Sequence, residues 1–175
     1  MKIQLLTATV IISALLLQPV FVVAQQAATS RVSEPQGRLI DVGGYRLHIN
    51  STGKGKPTVI LIAGSGDFSF DWSLVQPAVS RFSRVCSYDR AGLAWSDVGP
   101  TPRTMRQEAY ELHVLLEKAK LKAPFVLVGH SVGGLIARVY AAEYPREVAG
   151  MILVDSTTED TTLNYQGKLM SGHIL

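Results

Sequence analysis

Val126-Leu127-Val128-Gly129-His130-Ser131-Val132-Gly133-Gly134 runs from a short aliphatic stretch through Gly-x-Ser-x-Gly into a segment with helical character. A buried strand that turns sharply into a helix through that pattern is a nucleophile elbow. The turn forces the serine backbone into a strained conformation. Side chains two residues to either side would collide, so only small residues fit there. The same turn lifts the Ser131 hydroxyl above the sheet and aims the N-terminus of the next helix at the reaction centre, where a developing oxyanion is stabilised. Ser131 is therefore the candidate nucleophile, and the Val132 N–H the first oxyanion donor.

Outward from the elbow, strands and helices alternate. Phe125 to Val128 leads into it, and Val132 to Tyr144 leaves it as a helix. Thr58 to Ala63 is a continuous β-branched and aliphatic run, the pattern of a strand buried on both faces. Val85 to Tyr88 and Val148 to Val154 read as further strands. Arg38 to Val42 and Tyr45 to Asn50 form a hairpin across Gly43-Gly44. A helix is predicted over 71–82 despite Pro77, and another after Thr104 as its N-cap. Met105, Ala109, Leu112, Leu116 and Ala119 share one face of that second helix at helical spacing, and form core rather than a cofactor box. The order implies an α/β fold with a doubly wound, mostly parallel sheet opened by an antiparallel hairpin.

At 175 residues, 47% hydrophobic and 18% charged, the chain suits one domain with a sizeable core and excludes disordered, collagen-like or repeat architecture. A net charge of +3 with scattered basic residues argues against nucleic-acid binding. The single cysteine, Cys86, excludes an internal disulfide framework and a Cys-cluster zinc site. No metal and no cofactor are expected. Lys2, the apolar run Ile3 to Leu17 and Val22-Val23-Ala24 read as a signal peptide, residues 1–24, cleaved after Ala24. The alternative is an uncleaved membrane anchor, since about twenty residues span a bilayer. On the first reading, residues 25–37 are a linker and 38–175 the domain. The protein is then secreted or periplasmic, with no stable membrane insertion after cleavage.

Four segments carry a family resemblance. They are Leu61-Ile62-Ala63-Gly64-Ser65-Gly66, the loop Ser87 to Asp97 with its Asp89-Arg90-Ala91-Gly92, the elbow Gly129 to Gly134, and Ile152-Leu153-Val154-Asp155-Ser156. Together they resemble the α/β-hydrolase fold family, serine hydrolase branch, from about Arg38 to Asp155. The resemblance implies the Ser65 N–H as second oxyanion donor, with Ala63 standing where a histidine commonly precedes the glycine. It also implies that His130 points away from Ser131 as a packing or hydrogen-bonding residue. Asp89 is expected to satisfy loop N–H groups and Arg90 to brace the end of the sheet. Trp95 either lines the pocket or packs beneath the loop. His48, in the hairpin, and His113, on the polar side of a helix, carry no expected role.

A serine hydrolase also needs an acid and a base, in chain order Ser, then Asp or Glu, then His. Asp155, leaving the sixth strand, is the candidate acid or else a turn cap; the commoner position follows the next strand. His173 is the one histidine beyond it, in a polar tail from Thr157 to Leu175 with no expected strand, and is read as incidental. The catalytic histidine is thus not identified. The resemblance implies about eight strands and a lid, whereas six strands can be counted, so the chain is expected to be a fragment with an exposed sheet edge. It implies a serine hydrolase that cleaves esters, less readily amides, of a small-molecule substrate through an acyl-enzyme on Ser131. The alternative is an inactive hydrolase-like fragment or binding protein without the base. Nothing in the sequence bears on oligomeric state.

Overall fold

The computed structural model describes residues 35–158 and the backbone of 162–165 and 168–171. The expected signal segment and His173 lie outside the described residues. The architecture below is that of the unit Gln36–Leu175.

Six strands form one sheet: β1 (Arg38–Asp41), β2 (Arg46–Thr52), β3 (Thr58–Ile62), β4 (Val85–Tyr88), β5 (Phe125–His130) and β6 (Val148–Val154). Their order is β1-β2-β4-β3-β5-β6. β1 pairs with β2 and β2 with β4 antiparallel, while β4, β3, β5 and β6 run parallel. The hairpin turn is held by Asp41, whose Oδ1 accepts the N–H groups of Gly43 and Gly44 at 2.8 and 3.0 Å.

Between β3 and β4 the chain does not form the single helix expected over 71–82. A 3-10 turn at Ser69–Trp72 and a one-turn helix α1 (Gln76–Val79) stand there instead. Pro77 has no N–H to give to the preceding turn, so the helix begins around it rather than running through. Helix α2 (Met105–Lys118) starts at Thr104, whose hydroxyl accepts the Gln107 N–H at 3.1 Å. Met105, Ala109, Leu112, Leu116 and Ala119 are all buried along its inner face, as their spacing requires. Helix α3 spans Val132–Glu143.

The sheet is buried on two sides by different neighbours. Ile60, Ile62, Phe125 and Leu127 face the core shared with α2 and α3. Their alternates Leu61, Val85 and Val128 pack with Trp72 on the other side. This period-two division explains why β3 and β5 read as unbroken aliphatic runs. β6 is different. It has β5 as its one neighbour in the sheet, and Met151, Ile152, Leu153 and Val154 are exposed.

The tail departs from expectation. Thr162–Tyr165 (β7) and Lys168–Ser171 (β8) pair antiparallel, Thr162 opposite Ser171 and Tyr165 opposite Lys168, in a second, two-stranded sheet. Thr162 to Tyr165 alternates polar and apolar residues ahead of Gln166-Gly167, a hairpin signal that the overall polarity of the tail conceals.

Candidate functional site

The parallel strands all end at one edge of the sheet, and the loops leaving β3, β4, β5 and β6 meet there. Ser131 follows β5 directly. Its backbone lies at φ +51°, ψ −122°, outside the regions an L-residue occupies at ease. Two glycines make this turn possible. A Cβ on Gly129 would lie about 2.5 Å from the Gly133 carbonyl oxygen, and one on Gly133 would press into the carbonyls of Ile62 and Ala63. The elbow is therefore wedged against the end of β3 with no space for a methyl group.

That closeness brings the second loop to the serine. A Cβ placed on Gly64 would sit 3.3 Å from Ser131 Cβ, so the Gly64-Ser65 backbone passes beside the elbow. Its orientation is fixed from behind by Arg90, which donates to the carbonyls of Ala63 at 3.0 Å and Gly64 at 2.5 Å. Both carbonyls are thus turned inward onto the guanidinium. Among the described residues, no backbone carbonyl accepts the N–H of Ser65 or of Val132. The Ala63 side chain, where a histidine is common, is buried against Trp72, and the loop holds without it.

Asp89 supports the same loop further along. Its carboxylate accepts the Ser69 N–H at 2.7 Å and the Trp95 N–H at 3.4 Å, and lies 2.9 Å from His48 Nδ1. Burial by itself would lower the His48 pKa, but the contact with Asp89, its charge and the Gln36 carbonyl outweigh it, so the imidazole is held above its ordinary value. Burial would raise Asp89, and the His48 and Ser69 donors overcome it to leave the carboxyl below its ordinary value. Trp95 packs on His48 with ring centroids 5.2 Å apart and meets Phe68 edge-on at 6.4 Å. His48, with no expected role, is thus part of a buried brace.

The other two described histidines are also committed. His130 Nδ1 lies 3.4 Å from Asp67 of the β3 loop. His113, half-buried, stacks on Tyr144 at 4.0 Å and pairs with Glu147 at 3.1 Å. None of the three described histidines is placed against the Ser131 hydroxyl.

What does meet Ser131 is the turn after β6. The Ser131 N–H donates to the Val154 carbonyl at 3.2 Å, and the Thr157 N–H donates to the Ser131 carbonyl at 3.1 Å. Thr157 Oγ1 stands 3.5 Å from Ser131 Oγ, and the Ser156 hydroxyl reaches the Ser131 carbonyl at 3.5 Å. Asp155 sits in this turn, exposed, at φ +43°. The sequence assigns no role to Thr157 or Ser156. The signal available was register: β6 runs parallel beside β5 with Val154 opposite His130, so its exit must flank Ser131.

Among the described residues, no group of three or more His, Cys, Asp or Glu side chains could hold a metal ion. No helix among them is long and apolar enough to cross a membrane.

The model of the family described as "alpha/beta hydrolase fold" matches residues 57–172. An "AB hydrolase superfamily protein" of Gibberella zeae is 35% identical over 123 residues, 68% of this chain and 37% of that protein. Among solved structures, Cfl2 of Burkholderia cenocepacia superposes with a TM-score of 0.67 at 31% identity, covering 72% of this chain and 43% of that one. A thermophilic esterase of Thermogutta terrifontis gives 0.66 at 29%, covering 73% and 48%. The chain spans less than half the length of each of these proteins.

Proposed function

The chain belongs to the alpha/beta hydrolase fold family, and from that premise we propose that it is the nucleophile-bearing part of a serine esterase acting on a small-molecule ester. The observation that carries this reading is the strained Ser131 backbone at the strand-to-helix turn, wedged between β3 and the helix it opens. The likeness to a solved esterase supports the ester over other substrate classes. Amides are the less favoured substrate.

In this reading Ser131 Oγ attacks the substrate carbonyl as a base removes its proton. The carbonyl oxygen becomes an oxyanion held by the Val132 and Ser65 N–H groups, whose positions cost no reorganisation because Arg90 and the helix start already set them. Collapse of the tetrahedral intermediate expels the alcohol and leaves an acyl-enzyme, which water then hydrolyses. Asp155 is the candidate acid. The base is not among the described histidines, since His48, His113 and His130 are paired elsewhere.

That same commitment of the histidines favours a second reading, a hydrolase-like chain that binds without turnover. Fluorophosphonate labelling separates the two. Covalent capture of the chain that disappears in Ser131→Ala supports the esterase. Absence of capture, with the fold intact by circular dichroism, supports the binding protein. Capture that persists in Ser131→Ala would remove Ser131 from the mechanism.

A further inference from the structure

Arg90 reaches the loop beside Ser131 with two of its guanidinium nitrogens, Nη1 donating to the Ala63 carbonyl and Nη2 to the Gly64 carbonyl. The Gly64 carbonyl and the Ser65 N–H belong to one trans peptide plane, so they point in opposite directions. A carbonyl drawn onto the guanidinium therefore turns the Ser65 N–H away from it. Whatever holds Arg90 in place sets the direction of that N–H.

The third nitrogen, Nε, faces Glu108 Oε2 at 3.5 Å, with side chains 8% and 12% exposed. Among the described residues, no other carboxylate lies within ion-pair distance of Arg90. Glu108 stands in the first turn of α2, where an exposed carboxylate would serve the helix dipole equally well. Its Oε1 is 3.7 Å from Arg103, but that guanidinium already has Glu111 as its closer partner. Glu111 is fully engaged, accepting from Arg103, Tyr45 and Gln107.

Glu108 is not engaged in that way. Its Oε2 is buried with no hydrogen-bond donor, and the Tyr88 hydroxyl, in the field of both Arg90 and Glu108, is buried without a partner too. A buried carboxylate oxygen without a donor costs free energy that a hydrocarbon side chain at the same place would not. Helix capping and packing leave that cost unexplained. The charge of Arg90, which has no other counter-ion there, accounts for it.

We propose that Glu108 is a positioning residue of the Ser131 site: through Arg90 it holds the Gly64-Ser65 peptide with its N–H free for an oxyanion. It rests on the esterase reading for the use of that N–H, not for its placement. Glu108→Gln removes the charge at nearly constant size. In proton–nitrogen correlation spectra, the Ser65 amide resonance should move further than in Glu117→Gln, an exposed carboxylate on the same helix, with circular dichroism unchanged. Fluorophosphonate labelling of Ser131 should slow by about tenfold. Arg90→Gln combined with Glu108→Gln should label no more slowly than Arg90→Gln alone, because Glu108 acts through Arg90. Glu108→Asp keeps the charge but draws it back by one methylene. It should move Ser65 in the same direction by less, and it decides the matter if Glu108→Gln does not fold. Three results overturn the proposal: an unmoved Ser65 resonance in a folded variant, an unchanged labelling rate in Glu108→Gln, or losses that add in the double variant. A wild type that takes no label removes the esterase reading, and the Ser65 resonance then decides the placement by itself.

Discussion

His48 Nδ1 and Asp89 Oδ2 lie 2.9 Å apart with side chains 1% and 0% exposed, joining the N-terminal hairpin to the loop that supports the Ser131 site. The folded His48 is held above its ordinary value of 6.5, so the stability it confers is full below that pH and is lost as pH rises through the folded value. Asp89 is held below 3.8, so its contribution is full above that pH and is lost as pH falls through the folded value. The pair should therefore stabilise most in the window between. The urea midpoints of the wild type and His48→Gln should differ most in that window and converge as pH rises through the folded His48 value. A gap independent of pH would show that the imidazole acts through packing alone.

Arg90→Gln removes both donors to the Ala63 and Gly64 carbonyls and leaves them buried without partners. Urea unfolding should show a loss of about 2–4 kcal/mol. Arg90→Lys should recover little of it, because a single ammonium does not reproduce the two-pronged fork. Full recovery by lysine would show that charge, not the fork, holds the loop.

Ser131→Ala keeps the strained φ of +51° while removing the hydroxyl, whereas Ser131→Gly relieves the strain. The glycine variant should be the more stable of the two by about 1 kcal/mol, even after the entropic penalty glycine carries. Both should fold. An alanine variant equal to or more stable than glycine would mean that the turn is not strained.

Ile152 is 54% exposed on an edge strand with apolar neighbours. Such an edge invites pairing with another chain. Ile152→Lys should raise the concentration at which the purified chain stays monodisperse in light scattering, with no change in its secondary structure. Unchanged association would place the self-contact elsewhere.

Much of the fold was legible because the signal was local. Aliphatic runs of strand length, Thr104 before the Met105 to Ala119 stripe, and Gly-x-Ser-x-Gly each declare themselves within a few residues. The departures come where a proline interrupts a helical pattern and where a polar composition hides short strands. Pro77 divides the helix expected over 71–82, and the tail from Thr157 to Leu175 holds two short strands that its overall polarity conceals. The candidate site was legible in part. Ser131 and the need for glycine at positions 129 and 133 followed from the turn, whereas Thr157 beside the serine did not, because 26 residues of chain separate the two.

The sequence by itself determined the six strands of the main sheet, the two long helices, the elbow and the residue at its tip, since each rests on hydrophobic period and on the backbone freedom of glycine. Tertiary structure alone decided what surrounds that tip. His48 found Asp89, His130 found Asp67, and the Ser131 hydroxyl came to face Thr157. Those partnerships depend on sheet order and parallel register, which bring together side chains from strands far apart in the chain. No periodicity in a single stretch of sequence encodes which loop will meet which.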